Sequence, residues 1–427
     1  MINNLDKLSL YLFILLPFAI LTGPFLSDLF LTIIAIVIFF SRFKYVKNYL
    51  NHKIIILLFL LLIIFLCSSV FSENILYSFD YSLFYFRFVL FFISTVYLFE
   101  KYENLIIKYT YYVLYSCLFL LSVDSLIEFF FNKAFFGFID VPNSSIRLKS
   151  LFILIDEPVV GAYISKLLPI LIGFFLLLKN NKDFKFFCFL VNLSVLVVFL
   201  SGERVAFVYA FLSYFFYIIF FFKEKIVKFS SILLISLIFA SIFIKPEIYS
   251  RMFTQTFDQV YTEKENVLNS SKLEKKYTQL IYLLYSKFPS FSNEHLGFIE
   301  TALIMHENKP FIGYGSKLFD LNCQNFNKSA CANHPHQIYM QIISETGIFS
   351  FFILIFIFLY FLFYLFRSIY LAFKFNTNLF KPNIFLLLPP TLYLFPFLPS
   401  GSFFTNWNTV LFYYGFSISY FYIKKIK

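Results

Sequence analysis

Four of the five histidines of this chain, His295, His306, His334 and His336, fall in one hydrophilic stretch. Histidine ordinarily titrates near neutral pH, so it is the side chain best suited to take a proton from a hydroxyl in water. The segment Asn333-His334-Pro335-His336-Gln337 holds two of them, directly before an apolar run. Pro335 suits the first position of a helix, with Asn333 or His334 as its cap. The N–H groups of His336, Gln337 and Ile338 would then stand free at a positive helix end, where an anion can dock. Gln337, Gln341 and Ser344 follow at helical spacing and extend a polar stripe along an otherwise apolar helix. A stripe of this kind costs free energy in a membrane unless it lines a cavity.

Other charged residues sit at the mouths of apolar runs. Arg204 lies between two such runs, where a guanidinium either snorkels to headgroups or holds a phosphate by paired hydrogen bonds. Arg147 and Glu157 frame a similar entry to the next run. Asp80, Arg87, Asp124, Glu128 and Lys166 lie within or beside apolar runs, and each also reads as one half of a structural ion pair. His306 reads as an ordinary polar loop residue. His334 and His336 would suit zinc, with Cys323, Cys331 or His295 completing the set, but the spacing matches no standard zinc pattern. There is no Asp-x-Asp pair and no phosphate-cradling glycine loop, which argues against a metal-dependent nucleotide-sugar transferase and a nucleotide-driven pump.

The elements that must position these groups are membrane helices. Of the 427 residues, 60% are hydrophobic and 14% charged, against about 45–50% and about 25% in soluble domains. The 69 Phe are ascribed mainly to codon bias rather than to an aromatic device. Apolar runs of roughly spanning length occur near 8–22, 26–40, 54–71, 81–99, 109–131, 159–178, 186–200, 205–222, 229–244, 347–366, 384–398 and 409–422. The expectation is an all-α polytopic membrane protein of about 12 helices. Residues 1–244 would form helices 1–9, 245–346 a long, partly helical outer loop with the histidine segment, and 347–427 helices 10–12. The first run, lacking a small-residue cleavage site, reads as a retained helix rather than a signal peptide.

Charge placement gives the orientation. Lys and Arg gather in alternate loops with roughly a fivefold asymmetry, which places both termini inside and the long loop outside. The net charge of +11 is thereby ascribed to topology, not to nucleic-acid binding. Cys323 and Cys331, eight residues apart in the outer loop, would meet an oxidising compartment and are expected to pair, the alternative being two free thiols. Within the loop, 247–287 is polar with helical spacing, and 293–307 is amphipathic and stopped by Pro310.

These motifs together resemble the O-antigen ligase and polymerase superfamily, bacterial multi-spanning transferases of lipid-linked glycans. The resemblance rests on His336-Gln337 followed by Gly347-x-x-Ser350, on Pro310-Phe311-Ile312-Gly313-Tyr314-Gly315, on Ser201-Gly202-Glu203-Arg204, and on Arg147 through Glu157 to Gly161 and Pro169. It covers roughly residues 145 to 365 in the right order. The chain departs from the family pattern where His295 stands in the place of a second loop arginine, with Arg251 a substitute. It departs again at Ser350, in the place of a small glycine, and at Asp320, where a basic residue is frequent.

The resemblance implies a glycosyltransferase of a bacterial inner (cytoplasmic) membrane, needing neither cofactor nor metal. Its donor would be a polyprenyl-diphosphate-linked glycan, and its acceptor a hydroxyl of another glycan or of lipid A core, met on the periplasmic side. His336 and Arg204 would be catalytic. His334, Gln337, Arg147, Glu157, His295, Arg251, Gly313 and Gly315 would bind substrate. The segment Arg147 to Pro169 leans toward a polymerase-like member. The competing class is a transporter or flippase of lipid-linked sugars, which would place its polar groups near the bilayer midplane and show inverted repeats.

Overall fold

In the computed structural model, residues 3–141, 147–149, 158–178, 183–261, 272–327, 330–375 and 380–426 are described. The expected Glu157 lies outside them. The protein is an all-α polytopic membrane protein, with one short antiparallel pairing of Lys133–Ala134 with Ile139–Asp140. Among the described residues, eight helices are long and apolar enough to cross a membrane. The expected count of about 12 differs because some runs merge and others are short. The runs 81–99 and 109–131 lie largely in one helix, Phe86–Phe131. Glu100 to Lys108 contains no Pro or Gly to stop it, and only a kink at Tyr102 (φ −131°, ψ 25°) separates its two arms. The run 384–398 gives only Lys381–Tyr393, because Pro396 and Pro399 follow and the chain turns irregular.

Buried ionisable groups brace the bundle. Asp6 accepts from Arg42 Nε at 2.7 Å, Lys101 Nζ at 2.8 Å and Tyr102 Oη at 2.8 Å. Arg87 pairs with Asp28 at 2.9 Å. Asp124 accepts from the amides of Phe135 and Phe136, and Glu128 accepts from the Lys149 amide through both oxygens. Arg87 thus meets the ion-pair reading given to it, whereas Asp124 and Glu128 hold backbone amides instead. Glu128 also has a role at a distance, since it anchors the backbone two residues beyond Arg147.

The long loop holds the helices Gln255–Tyr261, Lys276–Ser286 and Asn293–Asn308, the last ending just before Pro310. Residues 310–315 then turn back onto the Ile338–Phe375 helix at its kink, Gly347 (φ +80°). Ile348 N–H donates to Pro310 O at 3.0 Å, Tyr314 N–H to Ser344 O at 3.0 Å and Gly315 N–H to Glu345 O at 2.8 Å. A Cβ on Gly347 would overlap the Phe311 carbonyl, and one on Gly313 would overlap the Glu345 carbonyl. Only glycine allows both this approach and these left-handed angles. Below the turn, the Glu345 carboxylate accepts from the amides of Lys317 at 2.8 Å and Phe319 at 3.2 Å, which locks the following loop to the same helix.

Candidate active site

A cavity of about 680 Å³ opens among the loop, the Val160–Leu178 and Arg204–Phe221 helices and the segment 394–408. Arg147, Arg204, Arg251, His295, His334 and His336 all line it, from five separate stretches of chain. Arg204 begins its helix after the Ser201-Gly202-Glu203 turn, in which Gly202 is left-handed (φ +68°). Its Nη1 donates to Thr256 Oγ1 at 3.4 Å, while Arg251 Nε donates to the Gly202 carbonyl at 2.9 Å. The turn and the loop helix thus hold each other, and both guanidiniums face one space.

Glu203 is a residue the sequence reading passed over as a site residue. Its two oxygens accept from the Gly161 amide at 2.6 Å and the Ala162 amide at 3.0 Å, so it caps the Val160–Leu178 helix from outside. A Cβ on Gly161 would lie 2.6 Å from Ser201 Oγ and 3.0 Å from Glu203 Oε1, which explains the glycine there. The signal was present in the sequence, as an acid between a turn glycine and an arginine, but its partner lies 42 residues earlier.

The histidine segment is built differently from the expectation. The helix begins at Ile338, not at Pro335, and Gln337 caps it: Gln337 Oε1 accepts from Met340 N–H at 2.8 Å. Ile338 N–H donates to Ser400 Oγ at 2.9 Å, so this helix end is satisfied within the protein rather than left open for an anion. Gln337 Nε2 donates to Pro396 O at 2.8 Å, which spends the side chain on framework instead of on the cavity. His336 precedes the cap in a left-handed conformation (φ +53°), and its carbonyl accepts from Ser400 N–H at 2.8 Å. This unusual angle turns the imidazole toward the cavity, where its ring centroid lies 4.2 Å from that of His334, 5.7 Å from His295 and 5.5 Å from Phe298.

His295 comes from the first turn of its helix, where its Nδ1 bonds the Ser292 hydroxyl at 2.7 Å in a reciprocal cap. His306, on the same helix, does not line the cavity and packs against Tyr277. Gly313 and Gly315 do not line it either; their backbone serves the junction with the kinked helix. Cys323 and Cys331 sit with Cα atoms 5.3 Å apart and their sulfurs joined.

Among the described residues, the cavity crowds three guanidiniums and three imidazoles around one carboxyl, that of Glu203. Burial, then Arg147 and Arg204, pulls the Arg251 guanidinium down to about 10, against the pull of Glu203. Burial, then His336 and the two arginines, pushes His295 down to about 4. His334 falls to about 3 by burial and by His336 and Lys317, and His336 is lowered by burial and by Arg147. Burial pushes the Glu203 carboxyl up to about 7, although the Gly161 and Ala162 amides and Arg147 oppose it. All three imidazoles are therefore pushed toward the neutral, proton-accepting form beside the guanidiniums.

Residues 189–355 match the family model described as O-antigen ligase. The match places this segment, which contains Arg204, Arg251 and the histidine cluster, in the O-antigen ligase and polymerase superfamily. That family supports a membrane glycosyltransferase activity for this multi-pass protein. No curated protein matches the chain.

Proposed function

We propose that this protein transfers a glycan from a polyprenyl-diphosphate carrier to an acceptor hydroxyl at the outer face of a bacterial inner membrane. One observation carries the reading: Arg147, Arg204 and Arg251 share a single cavity with His295, His334 and His336. In the reaction the acceptor oxygen bonds to the anomeric carbon and the bond from that carbon to the diphosphate oxygen breaks. The electron pair leaves with the diphosphate, so charge grows on the phosphate oxygens. Guanidiniums held in place before the reaction stabilise that charge without reorganising. The acceptor proton passes to the neutral imidazole of His336 and then to water.

Glu203 acts as a positioning residue, holding the Arg204 turn against the helix that carries the cavity wall. His334 and His295 orient His336 from either side. The acceptor is another lipid-linked repeat or lipid A core, and the Arg147 to Pro169 segment favours the polymerase. The glycan profile of a deletion strain separates the two. Single repeats on the core mark a polymerase, whereas bare core with accumulated polymer marks a ligase. An unchanged profile would overturn the proposal.

A further inference from the structure

The cavity continues past the arginines to a floor that the transfer chemistry does not use. Lys166 lies six residues into the Val160–Leu178 helix, roughly 9 Å along its axis from Val160 at the usual helical rise. Its ammonium donates to Asn408 Oδ1 at 3.0 Å and sits over the rings of Tyr393, at 5.1 Å, and Trp407, at 5.7 Å. All four residues line the cavity. Among the described residues Lys166 has no ion-pair partner. The acid on the cavity wall, Glu203, has both oxygens on backbone amides. The indole N–H of Trp407 is spent on the Ile20 carbonyl at 3.1 Å, which fixes the ring. Tyr393 stacks on Phe412 with centroids 4.6 Å apart, and its buried hydroxyl has no hydrogen-bond partner among the described residues.

We propose that Lys166, Tyr393, Trp407 and Asn408 form a sugar subsite for a residue bearing a carboxylate, such as a hexuronic acid. The subsite rests on the glycan-transfer reading and names the substrate class of the same cavity. The fixed rings of Tyr393 and Trp407 bound the subsite as apolar walls beside the ammonium, while the Asn408 amide reads a ring hydroxyl. An ammonium this deep without an acidic partner among the described residues is costly, and a carboxylate on the sugar would supply a charge-assisted partner. A neutral sugar would fill the same space and leave the cation unmatched. The cation then discriminates between sugars in a way that an aromatic floor alone does not.

Trp407 is the chain's single tryptophan, so its fluorescence reports directly on the subsite. The full-length protein in detergent or nanodiscs is titrated with free glucuronate, glucose and inorganic diphosphate. Glucuronate should change the Trp407 emission saturably, with half-saturation at least about tenfold lower than glucose, a gap of about 1.4 kcal/mol. Lys166→Gln should abolish the gap and Lys166→Arg should retain it. Equal responses of the wild-type protein to both sugars would overturn the proposal without need of a variant. Competition between inorganic diphosphate and glucuronate would do so too, by assigning Lys166 to the phosphate cluster. Loss of the subsite in these titrations leaves the transfer reading standing. Retained glucuronate binding in a protein whose deletion does not alter glycan profiles would instead remove the transfer reading alone.

Discussion

The imidazoles of His295 and His336 meet edge to face, with ring centroids 5.7 Å apart and planes inclined at 86°. One is anchored through Nδ1 to Ser292, and the other is aimed by a left-handed backbone ahead of the Gln337 cap. The pair joins the amphipathic loop helix to the membrane helix directly at the cavity. A base assigned to this place should be indispensable to transfer but dispensable to folding.

His336→Ala should lower transfer by about 10²–10⁴-fold, the range of a lost general base. The variant should reach the membrane at the wild-type level, since the imidazole itself carries no bond of the framework. Normal glycan assembly in cells that carry only this variant would refute the assignment.

Arg204→Lys and Arg251→Lys keep the charge and remove the planar fork, so each should weaken donor use at least about tenfold. In a reconstituted assay with a defined lipid-linked repeat, the loss should appear in kcat/KM per folded protein. Wild-type kcat/KM in both variants would exclude a bidentate phosphate role.

Gly347→Ala places a Cβ on the Phe311 carbonyl in a left-handed conformation. The conformation alone costs about 1–3 kcal/mol, and the overlap with backbone adds to it. Thermal unfolding in detergent should show a lowered Tm for Gly347→Ala and Gly313→Ala. Gly137→Ala, which meets nothing within 4 Å, should bear only the conformational cost. Wild-type Tm at all three positions would contradict the packing described for the turn.

The histidines predict a stability profile in acid. In the unfolded chain each ionises near the ordinary 6.5, whereas the folded protein holds His295 at about 4 and His334 at about 3. Above pH 6.5 both states are neutral there and stability is level. Between about 6.5 and 4 the unfolded chain binds protons that the folded one refuses, so stability falls with pH. Transfer, which uses neutral His336, should persist below the ordinary histidine range and fail only in stronger acid. A Tm that stays flat down to pH 4 would show that these imidazoles are not buried as described.

Much of this arrangement was legible in the chain because its signals are local. The arginine after Ser201-Gly202-Glu203, the glycine turn after Pro310 and the histidine segment each announce themselves by residue type. Periodicity and charge asymmetry likewise point to membrane helices, though merged and shortened runs spoil the count. The helix cap was misread because Pro335 is a strong local signal. It is outweighed by Ser400 and Pro396, which bind the segment from more than fifty residues away. Residues 394–398 read as the end of a spanning run, yet the irregular stretch 394–405 supplies the partners of His336, Gln337 and Ile338. Lys166 reads from the sequence as an ionisable group or half of an ion pair, since nothing adjacent to it foretells Trp407 and Asn408.

The junction of Gly313 and Gly315 with Gly347 bears on how such chains diversify. Its requirements are clearances between main-chain atoms, indifferent to whatever glycan passes nearby. A change in the cavity floor at Lys166 or Trp407 would therefore leave the joint untouched. The glycine pattern is then a mark of how the backbone is joined, separate from whatever the cavity selects.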